Sequence, residues 1–162
     1  MKSKRVLITG GAGYLGSILV GSLLDKKYKV TVIDNLTYKQ QSLTSYCYNK
    51  DFTFIKGDIR NIATLVNLKD FDIIIPLAAI VGMPACDNNP ELATEVNLEQ
   101  IITIVKKTSK DQQLIIPNTN SQYGSSENII TEESPFKPLS HYAKTKCHAE
   151  TAVIDSDRSG VA

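Results

Sequence analysis

The chain has 162 residues, enough for one domain with a proper core, and its make-up of 42% hydrophobic and 22% charged residues is that of an ordinary soluble globular protein. A formal net charge of +1 gives no reason to expect a nucleic-acid or acidic-membrane partner, and no apolar run approaches the ~20 residues needed to span a bilayer. Met1-Lys2-Ser3-Lys4 is basic, but Val6-Leu7-Ile8 is too short for a signal-peptide core, so the expected compartment is the cytoplasm. Cys47, Cys86 and Cys147 are widely spaced and accompanied by two histidines, which predicts neither a disulfide framework nor a metal site.

In chain order, strand and helix patterns alternate. A first strand is expected at Arg5–Thr9. A helix follows over Tyr14–Lys26, with Leu15, Ile18, Leu19 and Leu23 on one inward face. Lys29–Asp34 reads as a second strand. Residues 35–51 are polar and tyrosine-rich, a loop with one helical turn at most. Phe52–Lys56 is a third strand, and Asn61 is placed to cap a short helix over Ile62–Leu68. Phe71–Leu77 is a fourth strand, whose unbroken isoleucine run suits burial on both faces. Pro90 starts a long helix to about Thr108, with Ile101, Ile102 and Val105 inward. Gln113–Asn118 is a fifth strand. A last helix begins near Ser140 and runs past Ala152. Gly160-Val161-Ala162 reads as the opening of a truncated sixth strand. The alternation predicts an α/β fold: a Rossmann-like, doubly wound parallel sheet of five strands, in a single domain over residues 1–162.

The richest motif is Ile8-Thr9-Gly10-Gly11-Ala12-Gly13-Tyr14-Leu15-Gly16, directly after the first strand. Gly10 permits the tight turn. Gly13 lets the main chain approach a dinucleotide pyrophosphate, and Gly16 lets the helix pack close to the strand. The amides opening that helix, at Tyr14 and Leu15, are aimed at phosphate. Asp34 ends the second strand, 18 residues after Gly16, with Asn35 next to it. A carboxylate there accepts from a ribose hydroxyl pair and repels a 2′-phosphate, which favours NAD over NADP. Asp58 and Ile59 follow the third strand at the depth of an adenine ring.

Tyr142 and Lys146 are four apart, on one face of the last helix. A lysine ammonium close by favours the phenolate, so that Tyr142 takes a hydroxyl proton while Lys146 also holds the nicotinamide ribose. Tyr46–Lys50 repeats the spacing but sits in the polar stretch before the third strand and is read as accidental. After the fifth strand, residues 117–124 offer hydroxyls suited to hydrogen-bonding a substrate oxygen.

Together these motifs resemble the extended short-chain dehydrogenase/reductase family of NAD-dependent nucleotide-sugar epimerases and dehydratases, from Val6 to about Ala152. The resemblance implies that Asp34 selects NAD and that Asp58 contacts adenine. It implies further that Leu77-Ala78-Ala79 lines the cofactor after the fourth strand, that Asn97 is a structural asparagine, and that Thr119 joins Tyr142 and Lys146 as the catalytic triad. The implied chemistry is transient oxidation of a sugar hydroxyl by tightly held NAD, with a nucleotide sugar as substrate. The helix from 90 to 108 and the helix from 140 pair two subunits in many members, so a homodimer is allowed.

The chain departs from the pattern in places. Pro76 stands where histidine is common. Asn120-Ser121 replaces the Asp-Glu pair of 4,6-dehydratases. Cys86 takes a position that is often serine, which leaves open an atypical dehydratase using that thiol. Family members run to roughly twice this length, so the C-terminal substrate-binding part is expected to be absent. That leaves open a non-catalytic dinucleotide-binding module as well.

Overall fold

The computed structural model describes residues 3–125 and 129–158. Five parallel strands, β1 (Arg5–Thr9), β2 (Lys29–Asp34), β3 (Phe52–Lys56), β4 (Ile73–Pro76) and β5 (Gln113–Leu114), form one sheet in the order β3-β2-β1-β4-β5. The first three strands have the predicted bounds. β4 and β5 are shorter than expected, and the sixth-strand reading of residues 160–162 lies outside the described residues. Because the order reverses between β1 and β4, a crevice opens at the carboxyl ends of those strands.

The sheet is covered on both faces, and successive residues of the central strands serve opposite layers. Val6, Ile8, Val30, Val32, Ile73 and Ile75 pack with Val20 and Leu24 of α1 (Tyr14–Asp25). Leu7, Ile33 and Ile74 face the other layer. There they meet Ile62 of α2 (Ile62–Leu65), Ile101 and Ile104 of α5 (Gln100–Lys107), and Ala149 and Val153 of α6 (His141–Ile154). Between β4 and α5 the chain forms α3 (Met83–Asn88), α4 (Pro90–Thr94) and a π-helical turn, Glu95–Glu99.

Three expectations about helices need correction. The inward face of α1 is Gly16, Val20 and Leu24, flanked by the partly buried Leu19 and Leu23; Leu15 is 61% and Ile18 59% exposed. The cause is Gly16. A Cβ there would lie 2.5 Å from Gly11 Cα, so this face must close on the loop and the stripe turns away from Leu15. The helix predicted over 62–68 ends at Leu65. Asn61 occupies its cap position without a side-chain bond, while Asp58 Oδ1 accepts from Arg60 N (3.0 Å) at the 3₁₀ turn just before it. The long helix from Pro90 is interrupted by the π turn, and Ile104 rather than Ile102 joins Ile101 in the core.

Candidate active site

The glycine-rich loop leaves β1 through Gly10, whose φ of 69° favours glycine. A Cβ on Gly10 would lie 2.5 Å from Ala78 N, so the loop is seated directly on the Leu77–Ala79 segment after β4. Leu77 N donates to Thr9 O (2.9 Å), and Gly10 N donates to Ile33 O (2.8 Å), which join the three strand ends. Gly11, not singled out in the sequence, is equally constrained: a Cβ there would meet Val32 side-chain carbons at 2.7 and 2.8 Å.

Gly13 is different. It is the N-cap of α1, and a Cβ there would meet one atom, Gly10 O at 3.2 Å. Its open side is a cradle that any side chain would fill. With no side chain to cap α1, the amides of Tyr14 and Leu15 keep the unsatisfied donors and positive dipole end that suit a diphosphate. A dinucleotide fits this loop.

Asp34 is buried, 7% exposed, and braces the crevice. Its Oδ2 accepts from Ala12 N (3.0 Å) and its Oδ1 from Leu36 N (2.8 Å), which holds Leu36 in a left-handed conformation. Each carboxylate oxygen retains further acceptor capacity. The exposed Asn35 Oδ1 is engaged by Thr37 N at 3.0 Å and Thr37 Oγ1 at 2.6 Å. Asp58 is gripped by Arg60, with Nη2 to Oδ2 at 2.6 Å and Nε within 3.1 Å of both oxygens, and Arg60 reaches Glu95 Oε2 at 2.8 Å. The Arg60 guanidinium holds the Asp58 carboxyl below its ordinary value. Beside it, Ile59 has a buried side chain.

Asn97, at the centre of the π turn and 2% exposed, clamps the chain just past Ala79. Its Oδ1 accepts from Ile80 N (2.8 Å), and its Nδ2 donates to Ile80 O (2.9 Å) and to Thr145 Oγ1 (3.3 Å). Thr145 is the neighbour of Lys146. One side chain therefore links the cofactor crevice to α6. His141, one residue before Tyr142, pins the start of that helix: its Nε2 lies 3.0 Å from both Thr94 Oγ1 and Pro90 O. Ser140 caps the helix through Ala143 N at 3.1 Å.

α6 carries Tyr142 and the buried Lys146 one turn apart, as the spacing predicts. Their protonation departs from expectation. Burial raises the Tyr142 phenol above its ordinary value, the nearby Cys86 adds to this, and burial lowers the Lys146 amine. Desolvation penalises both charged forms and outweighs the expected help from the ammonium. Thr119 caps the 3₁₀ turn Asn120–Tyr123, with Oγ1 accepting from Ser121 N at 3.2 Å. Cys86 is fully buried, and its Sγ donates to Ile80 O at 3.3 Å. Burial pushes that thiol up, and the charge of Asp87 adds to this. Tyr46 packs in the core beside Phe52, and Lys50 is exposed elsewhere, so the second tyrosine–lysine spacing is a coincidence.

The model of the NAD dependent epimerase/dehydratase family matches residues 6–161. The chain belongs to that family. NAD is the family's cofactor. An uncharacterized UDP-glucose epimerase of Bacillus subtilis is 31% identical over 156 residues, 90% of this chain and 49% of the relative. The UDP-glucuronic acid 4-epimerase of Bacillus cereus, solved with UDP-glucuronic acid and NAD, aligns with a TM-score of 0.79 at 29% identity, over 94% of this chain and 52% of that one. The dTDP-glucose 4,6-dehydratase DesIV of Streptomyces venezuelae, solved with NAD, aligns with a TM-score of 0.81 at 30% identity, over 91% and 50%. The chain thus spans about half the length of the relatives it matches. Among the described residues no helix is long and apolar enough to cross a membrane.

Sequence reasoning missed Gly11, the His141 latch, Thr145 and Glu150, which takes a hydrogen bond from Asn118 Nδ2 on Oε2. The signal for Glu150 was present as a continuation of the Tyr142, Lys146 ladder at four-residue spacing.

Proposed function

We propose that residues 1–162 form the NAD-binding and catalytic part of a nucleotide-sugar epimerase that transiently oxidises a sugar hydroxyl. The observation that carries this reading is the Asn97 clamp, which ties the segment under the glycine-rich loop to the helix bearing Tyr142 and Lys146. A cofactor crevice and a proton-transfer pair held by one side chain suit redox chemistry on a bound sugar better than dinucleotide binding alone.

In this reading Gly10, Gly13, Gly16 and the amides of Tyr14 and Leu15 hold the diphosphate. Asp34, with Asn35, holds the adenosine ribose. Asp58 and Ile59 flank the adenine, and Leu77, Ala78 and Ala79 line the crevice floor. When bound, NAD supplies the oxidising equivalent. Tyr142 Oη takes the proton of the reacting hydroxyl, Thr119 Oγ1 orients that hydroxyl, and Lys146 steadies the phenolate and grips the nicotinamide ribose. A cation brought beside Tyr142 opposes the upward push of burial, so the phenol is a base only in the loaded site. The relatives' names support a UDP-sugar substrate. Asn120 and Ser121 offer no acid and base for water loss and the Cys86 thiol is buried, which supports epimerisation over dehydration.

The test is incubation with NAD and a panel of UDP-hexoses, with products resolved by anion exchange and mass spectrometry. The expected product is an isomer of unchanged mass, and Tyr142→Phe loses ~10²–10⁴-fold in turnover. Loss of water, or normal turnover by Tyr142→Phe, sinks the reading.

A further inference from the structure

Glu150 lies one helical turn beyond Lys146 and two beyond Tyr142 on α6, and it is half-buried. Its Oε2 accepts from Asn118 Nδ2, and Asn118 Oδ1 accepts from Thr119 N at 2.9 Å. The contact spans 32 residues of sequence and joins the helix to the loop after β5. We propose that Glu150 is a positioning residue, one carboxylate that fixes the Thr119 turn through Asn118 while facing Lys146 along the helix. The proposal rests on the catalytic reading of Tyr142, Lys146 and Thr119.

Each half of the role has its own physical argument. Thr119 bonds inside its own turn, to Ser121 N and Ser121 Oγ, both at 3.2 Å, and such local bonds do not place the turn relative to α6. The Asn118 amide does so, because its oxygen holds the Thr119 main chain while its nitrogen is held by a helix residue. Lys146 is buried, and burial alone moves it toward the neutral amine. The Glu150 carboxylate opposes that movement. A lysine that supports a phenolate must be charged, so an anion one turn away keeps it in the useful state.

Among the described residues, four groups of packed elements meet this stretch of α6, and Asp87 of α3 adds a carboxylate beside Cys86. Cys86 of α3 faces Tyr142, Asn97 of the π turn meets Thr145, Thr94 of α4 meets His141, and Asn118 meets Glu150. On α6 itself, Cys147 also feels the Glu150 charge, which adds to burial in pushing its thiol up.

Two variants separate the arms. Glu150→Gln keeps an oxygen for Asn118 and removes the charge; Glu150→Ala removes both. In the protein without substrate, a ¹³Cε lysine titration, assigned with Lys146→Arg, should show the Lys146 midpoint falling by about half a pH unit or more in Glu150→Gln. Amide exchange at Thr119 should quicken about tenfold in Glu150→Ala and stay near the parent in Glu150→Gln. Turnover should fall ~10–100-fold in Glu150→Ala with KM changed less than about threefold, and Glu150→Gln should lie between. A Lys146 midpoint unmoved in Glu150→Gln, or unchanged Thr119 exchange in Glu150→Ala, overturns the proposal. If Tyr142→Phe kept its turnover the catalytic reading would fall instead, and the titration and exchange measurements would still judge the placement of Glu150.

Discussion

Asn97→Ala isolates the clamp that joins the two halves of the site. The parent side chain satisfies both main-chain groups of Ile80, at 2.8 and 2.9 Å, from a position 2% exposed. The truncation leaves the Ile80 N–H without that partner and its C=O with only the weak Cys86 thiol donor at 3.3 Å. Each such group costs about 1–3 kcal/mol when water cannot replace the bond. Ile80 is only half-buried and its carbonyl keeps the thiol, so the lower part of the range applies and the total is about 1–3 kcal/mol. For a chain of this size that is a fall in Tm of roughly 2–12 °C. Asn97→Asp sharpens the test. Its Oδ1 still accepts from Ile80 N, but its second oxygen faces the Ile80 carbonyl, acceptor against acceptor. Only the protonated acid donates there, so the folded pKa of the new carboxyl is raised above its unfolded value of ~3.9. The penalty is then fully present at neutral pH and is relieved as pH falls through the raised folded value. Urea unfolding followed by far-UV circular dichroism measures both effects. A cost below about 1 kcal/mol for Asn97→Ala, or a gap between Asn97→Asp and parent that does not narrow in acid, refutes the reasoning.

Two further comparisons test other parts of the site. Gly13→Ala should leave stability within about 1 kcal/mol of the parent, since its Cβ meets only Gly10 O at 3.2 Å, yet weaken NAD binding about tenfold or more by calorimetry. Gly16→Ala should cost about 1–3 kcal/mol or more, because its Cβ lands 2.5 Å from Gly11 Cα; the reverse ordering of stabilities would refute the two roles. Asp58→Asn should cost less than about 1 kcal/mol, because the Arg60 pair is partly open to solvent, with side chains 43% and 30% exposed. The folded carboxyl lies below its ordinary value, so its contribution is present above the unfolded pKa of ~3.9 and fades as pH falls through the folded one. The difference between Asp58→Asn and parent should therefore vanish in strong acid, and persistence there would count against the ion pair.

The parts of the fold legible in the sequence are those with local causes. The bounds of β1, β2 and β3 follow from short apolar runs between turn residues, and Ser140 announces α6 through an ordinary side-chain cap. The misread face of α1 has a long-range cause. Leu15, Ile18, Leu19 and Leu23 make a good apolar stripe, but the helix is rotated by the need to lay Gly16 against Gly11. The π turn was illegible for a similar reason. Glu95–Glu99 has ordinary helical composition, and its wider winding accompanies Asn97's reach to Ile80, a contact across 17 residues.

The candidate site divides along the same line. Glycines, the strand-ending Asp34 and the Tyr142–Lys146 spacing are visible because each chemical demand falls on neighbouring residues. Their coupling is not, since Asn97, Asn118 and Glu150 act on partners 17 to 48 residues away. Protonation shows why this matters. Spacing alone predicts a depressed phenol beside an ammonium, whereas burial raises the phenol and lowers the amine before any cofactor charge arrives. In the proposed reading Tyr142 acts as a base when a fixed anion favours the charged lysine and a bound cation opposes the push of burial on the phenol. The reactivity proposed for α6 therefore depends on its contacts to the loop after β5 and to the cofactor crevice, and substitutions at those contacts should alter catalysis without touching Tyr142 or Lys146.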